Sequence, residues 1–398
     1  LVGGNALVEM GTFVAILLGT IVAGLLMEFK AAARLAAGGV LAVAVLGWLA
    51  SRGIPLAPAA EADISLRFNP WRETWKVVGM ARDHHAVFLS ILAISWFWFL
   101  GAAYLTQFPN YAKNTLGGSE SLVTLLLATF TVGIGLGSML CERLSRHRVE
   151  LGIVPIGSLG LSLFGLDLYA QTPELVAADP IGWQAFMGSV DGRRILLDLL
   201  GIGVFGGFFI VPLYAFVQQE TAPERRARVI AALNILNALF MVASALLGVL
   251  LLGLAGLTIP QFFLVLAVVN VLIAVCVYQQ VPLFTLRFVI WLLSHTVYRV
   301  RHEGLRNIPE HGGAVLVCNH VSYMDALVIA GAVRRPVRFV MDSRIFNTPV
   351  LGWLFRAARA IPIAPRSIDP AVYDAAFEAI SQELQAGNLV CIFPEGKL

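Results

Sequence analysis

The chain has 398 residues, 58% of them hydrophobic and 13% charged, with a formal net charge of +3 at neutral pH. Globular domains carry roughly twice that share of charged residues, so the composition excludes a water-soluble protein and indicates a membrane protein. The net charge is small and the basic residues sit between apolar runs, which argues against nucleic acid as a partner.

Eight stretches each supply the roughly twenty mostly apolar residues that a bilayer crossing needs. They are 2–27, 33–50, 84–106, 122–141, 151–170, 195–217, 229–254 and 259–281. From residue 229 to residue 286 there is no Asp, Glu, Lys or Arg, which a soluble helical pair of that length would not show. The connections set the orientation. The 52–82 segment carries Arg52, Arg67, Arg72, Lys76 and Arg82; 142–150 carries Arg143, Arg146 and Arg148; 218–228 carries Arg225, Arg226 and Arg228. The alternate connections hold Lys113 alone, then Arg193 and Arg194 offset by Glu174, Asp179 and Asp191, then no charge around Ala255. Basic-rich connections stay in the cytoplasm, so everything after Pro282 is expected there. The short connection with Lys30 and Arg34 runs against this trend.

Polar residues within spans are costly and therefore informative. Glu9 stands inside the first span with Asn5 one turn away, and either lines a transport cavity or packs at a helix interface. Asn234 and Asn237, three apart, either read a head group or join helices by hydrogen bonds. Asp83-His84-His85 at a membrane boundary lacks a further metal ligand, and no metal site is expected. Cys141, Cys276, Cys318 and Cys391 are scattered without metal spacing and read as small hydrophobes, with no disulfide framework.

Pro282 closes the last span. Residues 283–300 then interleave Leu283, Phe284, Phe288, Trp291, Leu292 and Tyr298 with Arg287 and Arg299, the pattern of a helix lying in the membrane interface. Beyond it, strand-like and helix-like runs alternate at 314–318, 326–332, 337–341, 350–358, 360–363, 371–385 and 389–393, which predicts an α/β domain. Reactive residues of such domains belong at the carboxyl ends of strands. Two sequences fall there: Asn319-His320-Val321-Ser322-Tyr323-Met324-Asp325 and Phe393-Pro394-Glu395-Gly396. A histidine in a strand-to-helix loop, with an aspartate reaching back from the first helical turn, is what proton transfer requires. The imidazole is the base; the carboxylate fixes its tautomer and stabilises its charged form. The chain opens on Leu1 within an apolar segment and stops two residues after Gly396, so a piece of a longer protein is expected.

The His-x4-Asp and Phe-Pro-Glu-Gly pair resembles the glycerolipid acyltransferase family, which includes 1-acylglycerol-3-phosphate and 2-acylglycerophosphoethanolamine acyltransferases. That resemblance implies His320 and Asp325 as catalytic residues, with Asn319, Ser322, Glu395 and Gly396 around the substrate. Ile361-Pro362-Ile363-Ala364-Pro365-Arg366 sits where the family carries an arginine-bearing acceptor-binding motif, without its usual preceding glycine, and implies Arg366 as a phosphate contact. No bound cofactor is implied; acyl-CoA or an acyl-acyl carrier protein serves as co-substrate, so acyl carrier protein is a candidate partner beside membrane lipid.

The spans resemble the major facilitator superfamily. Gly135-Leu136-Gly137-Ser138 followed by Glu142 and Arg143 looks like that family's loop of glycine, acid and basic residues, with Glu142 where Asp is usual. It reads either as a charge latch or as a positive-inside loop beside a glycine-packed helix end. Pro223-Glu224-Arg225-Arg226-Ala227-Arg228 is similar to the corresponding later loop. Asn5-Ala6-Leu7-Val8-Glu9 and Ala15-Ile16-Leu17-Leu18-Gly19 resemble the fifth span of the bacterial lysophospholipid transporter family, members of which are fused to acyltransferases.

The expected architecture is a multi-pass α-helical membrane domain with eight of twelve major-facilitator helices (1–282), an interfacial linker helix (283–303) and a truncated α/β acyltransferase domain (304–398). The implied function is lysophospholipid import and re-acylation at a bacterial inner membrane. The alternative is a transporter of another solute carrying a lipid-binding acyltransferase remnant.

Overall fold

A computed structural model describes residues 2–26, 31–55, 69–145, 149–173, 180–280, 290, 300, 303–309, 311–322, 324–333, 335–349 and 351–396. The chain separates into two compact units: Leu1–Val149 with Ile156–Ala274, and Glu150–Pro155 with Val275–Leu398. The interfacial helix expected over 283–300 lies outside the described residues, as does Tyr323.

The first unit is helical. Its helices are α1 (Val2–Leu26), α2 (Ala32–Ser51), α3 (Pro70–Arg82), α4 (His85–Asn110), α5 (Glu120–Leu144), α6 (Ile153–Gln171), α7 (Trp183–Gly188), α8 (Val190–Glu220), α9 (Pro223–Gly248) and α10 (Ile259–Gln280). Eight of these are long and apolar enough to cross a membrane, and they coincide with the eight predicted spans. α4 starts where the His84 ring accepts a hydrogen bond from the Val87 amide, 3.4 Å away, so His84 serves as a helix cap.

α8 starts five residues earlier than the hydropathy of its span suggests. The Ser189 hydroxyl caps it by accepting from the Gly192 amide at 2.9 Å. Arg194 forks onto Asp167 of α6, with Nε 3.0 Å from Oδ2 and Nη2 3.2 Å from Oδ1. Arg194, which reads as part of a connection, is instead paired between two helices.

Close packing of α5 on α8 comes from glycine. Gly133 and Gly137 of α5 face Gly203 and Gly207 of α8, one turn apart on each helix. A Cβ at Gly137 would overlap the Val204 backbone, and one at Gly207 would overlap the Ser138 amide. Without a hydrophobic drive between helices in lipid, such small-residue seams give the van der Waals contact that holds them together. A polar tie adds to this at Asn270 of α10. Its amide donates to the Ser158 carbonyl (2.8 Å) and the Ser162 hydroxyl (2.9 Å) of α6, and its oxygen accepts from the Trp96 indole of α4 (2.8 Å).

The second unit holds a four-stranded, all-parallel sheet. β1 (Ala314–Val317), β2 (Val337–Asp342), β3 (Ile361–Ile363) and β4 (Leu389–Ile392) lie in the order β1-β4-β2-β3. α11 (Met324–Ala332), α12 (Ser343–Phe346), α13 (Gly352–Ala357) and α14 (Pro370–Gln385) connect them. β4, flanked on both sides, is the buried strand, and Leu389 and Cys391 join Val333 and Val337 in the core. Burial beside Cys318 pushes the Cys391 thiol up to about 12, so it packs as a neutral hydrophobe. α12, only four residues long and capped by Asp342, is not evident from the sequence because it is too short to show a period.

Candidate active site

β1 and β4 pair in register, Val317 opposite Ile392, so the loops leaving their carboxyl ends emerge side by side. His320 lies three residues past β1 and Phe393 immediately past β4. Their rings stack with centroids 4.4 Å apart at 25°. The fold thus brings the two sequence motifs into contact, through a ring that sequence reasoning does not single out.

Asp325 occupies the first turn of α11, as expected. Its Oδ2 accepts from the Val321 amide at 2.7 Å, the Ser322 amide at 2.8 Å and His320 Nδ1 at 3.1 Å. The Ser322 and Val321 N–H groups, with the imidazole, hold this carboxyl below the usual carboxylate range, so it is ionised at neutral pH. An ionised acceptor at Nδ1 places the ring proton there and leaves Nε2 as the basic nitrogen. The two amides are invisible to sequence reasoning because they belong to the loop's backbone. Ser322 contributes further by accepting from the Met324 amide at 3.2 Å. Asn319 is exposed, just before His320.

Past β4, the Gly396 amide donates to the Phe393 carbonyl at 3.1 Å and closes a turn. Gly396 has φ of +61°, a left-handed conformation that favours glycine. Glu395, within this turn, is exposed. Arg366 is also exposed, three residues past β3, with its guanidinium 6.0 Å from the Tyr373 ring centroid. β3 is three strand positions from β1, roughly 14 Å at the usual spacing, so Arg366 stands at the far end of the edge that His320 opens. Between them, past β2, Arg344 is paired with Asp342 at 3.0 Å.

In the helical unit, Glu9 is 5% exposed, and its Oε2 is buried without a hydrogen-bond partner. A second acid is buried as deeply. Asp198, fully buried in α8, lies beside the Asp167–Arg194 pair, although its place near the end of a predicted span suggests a neighbouring loop. The two asparagines of α9 part company. Asn237 is buried and accepts from the Ser95 hydroxyl at 2.9 Å, whereas Asn234 is exposed. A spacing of three offsets side chains by about 60° around a helix, enough to separate the two at the rim of a buried face. The Glu142 carboxylate lies against Gly3 at the start of α1, where any Cβ would overlap it, while Arg143 is exposed. A carboxylate there complements the positive end of a helix. Among the described residues, no group of three or more His, Cys, Asp or Glu is placed to hold a metal ion.

Residues 299–398 match the family model described as Acyltransferase. The chain is also similar to proteins named lysophospholipid transporter LplT. It is 31% identical to that of Enterobacter sp. (strain 638) over 227 residues, covering 55% of this chain and 51% of the relative. It is 30% identical over 226 residues to that of Klebsiella pneumoniae (strain 342), and 29% identical over 224 residues to that of Serratia proteamaculans (strain 568). These alignments cover 55% of this chain in both cases, with 51% and 50% of the relatives. The chain spans about half the length of the curated relatives it matches. No solved structure matches it. The chain therefore joins a membrane-helical segment homologous to lysophospholipid transporters to a C-terminal region that matches the acyltransferase family.

Proposed function

We propose that this protein moves lysophospholipid across a bacterial inner membrane and re-acylates it on the cytoplasmic side. The observation that carries the enzymatic half is the His320–Asp325 pair, oriented by three hydrogen bonds to one carboxylate oxygen and stacked on Phe393. The transport half rests on the similarity to lysophospholipid transporters and on eight membrane-length helices. We keep the functional division at 1–282, 283–303 and 304–398.

His320 Nε2 takes the proton of the free glycerol hydroxyl as that oxygen attacks the carbonyl of an acyl thioester. Asp325 stabilises the imidazolium that forms. Collapse of the tetrahedral intermediate breaks the C–S bond, and the imidazolium returns the proton to the departing sulfur. The products are a diacyl phospholipid and a free thiol, with no acyl-enzyme. The thioester belongs to coenzyme A or to acyl carrier protein. Arg366 meets the acceptor's phosphate, and Glu395 with the Gly396 turn and the Asn319–Ser322 loop shape the glycerol site. Glu9 and Asn237 line the transport path; Asn234 extends it, and Glu142 with Arg143 works the cytoplasmic latch. Joining both activities on one chain raises the effective concentration of the flipped lysolipid at the enzyme.

The test is His320→Ala in the full-length protein. Acylation of detergent-solubilised lysophosphatidylethanolamine should fall by roughly 100- to 10,000-fold, the usual contribution of a general base, with import of the labelled lipid retained. Acylation within tenfold of the parent would remove His320 from the mechanism.

A further inference from the structure

The transport half holds a built acceptor site around Glu9. Asn5, Glu9 and Phe13 recur every fourth residue on α1, and all three are buried, while Leu7 and Val8 on the other side are exposed. Asn5 faces Gln218 of α8, and the two amides exchange hydrogen bonds of 3.2 and 2.9 Å. One turn back on α8, the Tyr214 hydroxyl accepts from the Trp98 indole N–H at 3.0 Å. Tyr214 also lies within electrostatic range of Glu9 and hydrogen-bonding reach of Asn237. Phe13 stacks on Trp98 at 6.0 Å and 10°, which fixes the indole plane. Four helices, α1, α4, α8 and α9, thus contribute to one cluster.

Its bonding is uneven. The indole N–H goes to Tyr214, one N–H of each of the Asn5 and Gln218 amides goes to the other's oxygen, and the Ser95 hydroxyl goes to Asn237. Glu9 Oε2, in contrast, is buried without a hydrogen-bond partner. No ion pair involves Glu9 among the described residues. An unpartnered acceptor within electrostatic range of Tyr214 repels phosphate and suits a cation that carries N–H donors.

Resting on the transporter reading above, we propose that Glu9, with Tyr214 and Trp98, receives the ammonium of an amine-bearing lysophospholipid head group, and so sets head-group preference. A primary ammonium would give Oε2 the hydrogen bond it lacks, and the aromatic pair would present its faces to the charge.

The test is uptake into vesicles containing the full-length protein, using three lysolipids with one acyl chain. These are lysophosphatidylethanolamine, its N-acetyl derivative, which has lost the charge, and lysophosphatidylglycerol. The parent should take up the amine-bearing lipid at least tenfold faster than the N-acetyl lipid. Glu9→Gln should abolish that difference, bringing uptake of the amine-bearing lipid down to the rate of its N-acetyl derivative. Equal uptake of amine and N-acetyl lipids by the parent would overturn the proposal without recourse to any variant. So would an equal fall for all three lipids in a Glu9→Gln protein whose thermal midpoint is unchanged, since Glu9 would then serve the path without reading the head group. A parent that takes up none of the three would overturn the transporter reading itself.

Discussion

Replacing Asp325 with Asn isolates the charge at the centre of the proposed chemistry. One carboxylate oxygen accepts from the Val321 and Ser322 amides at 2.7 and 2.8 Å and from His320 Nδ1 at 3.1 Å. An asparagine oxygen of the same shape can keep the two shorter backbone bonds, so the loop should stay closed. What it cannot keep is the negative partner for the imidazolium that forms in the transition state. Acylation kcat should therefore fall by roughly 100- to 10,000-fold, the range seen when such a carboxylate or its base is disabled. KM for the lysolipid should change little, because the carboxylate charge meets an imidazolium only in the transition state. The assay is steady-state acylation of solubilised lysophosphatidylethanolamine with a radiolabelled acyl thioester, over pH 5 to 8. The direction of the Asp325 shift also fixes the pH behaviour. Backbone N–H groups depress its carboxyl in the folded state. Its stabilising contribution is thus complete above the unfolded carboxylate value of about 3.9 and is lost as pH falls through the lower folded value. No loss of activity between pH 8 and pH 5 should trace to protonation of Asp325. Activity within tenfold of the parent at every pH would refute the role assigned to the pair.

Two further predictions address packing and topology. Gly137→Ala places a methyl against the Val204 backbone of α8, and the seam should lose about 1–3 kcal/mol, read as a lower thermal midpoint in detergent; an unchanged midpoint would mean the helices part without cost. A cysteine at Ser381, an exposed position on α14, should resist membrane-impermeant thiol reagents in intact cells and react after lysis, whereas ready labelling of intact cells would reverse the proposed orientation.

Much of the fold is legible in the sequence because hydropathy is a local property. A run such as 229–254 can be nothing but a buried or lipid-facing helix, and after residue 313 short apolar runs alternate with helix-length ones such as 371–385, which marks an α/β domain. Order and spacing likewise mark His320 and Asp325, since the hydrogen bond between them spans a single loop. What cannot be read depends on which elements become neighbours. Nothing in the sequence places β4 between β1 and β2, yet that insertion is what sets Phe393 on His320. Gly133, Gly137, Gly203 and Gly207 look like scattered small residues until two helices are laid together. Arg194 looks solvated because its partner Asp167 is 27 residues away in sequence. Asn234 and Asn237 look equivalent, and only packing against α4 distinguishes them.

The most direct test of the whole account is a coupled reaction in sealed vesicles. Full-length protein is reconstituted with the acyl thioester trapped on the side of the acyltransferase region, and labelled lysophosphatidylethanolamine is added to the other side. The account predicts labelled phosphatidylethanolamine inside the vesicles. In His320→Ala vesicles it predicts labelled lysolipid, unacylated, in the inner leaflet. Label that stays in the outer leaflet of parent vesicles, while the same preparation acylates solubilised lysolipid, would contradict the claim that one chain both moves and repairs its substrate.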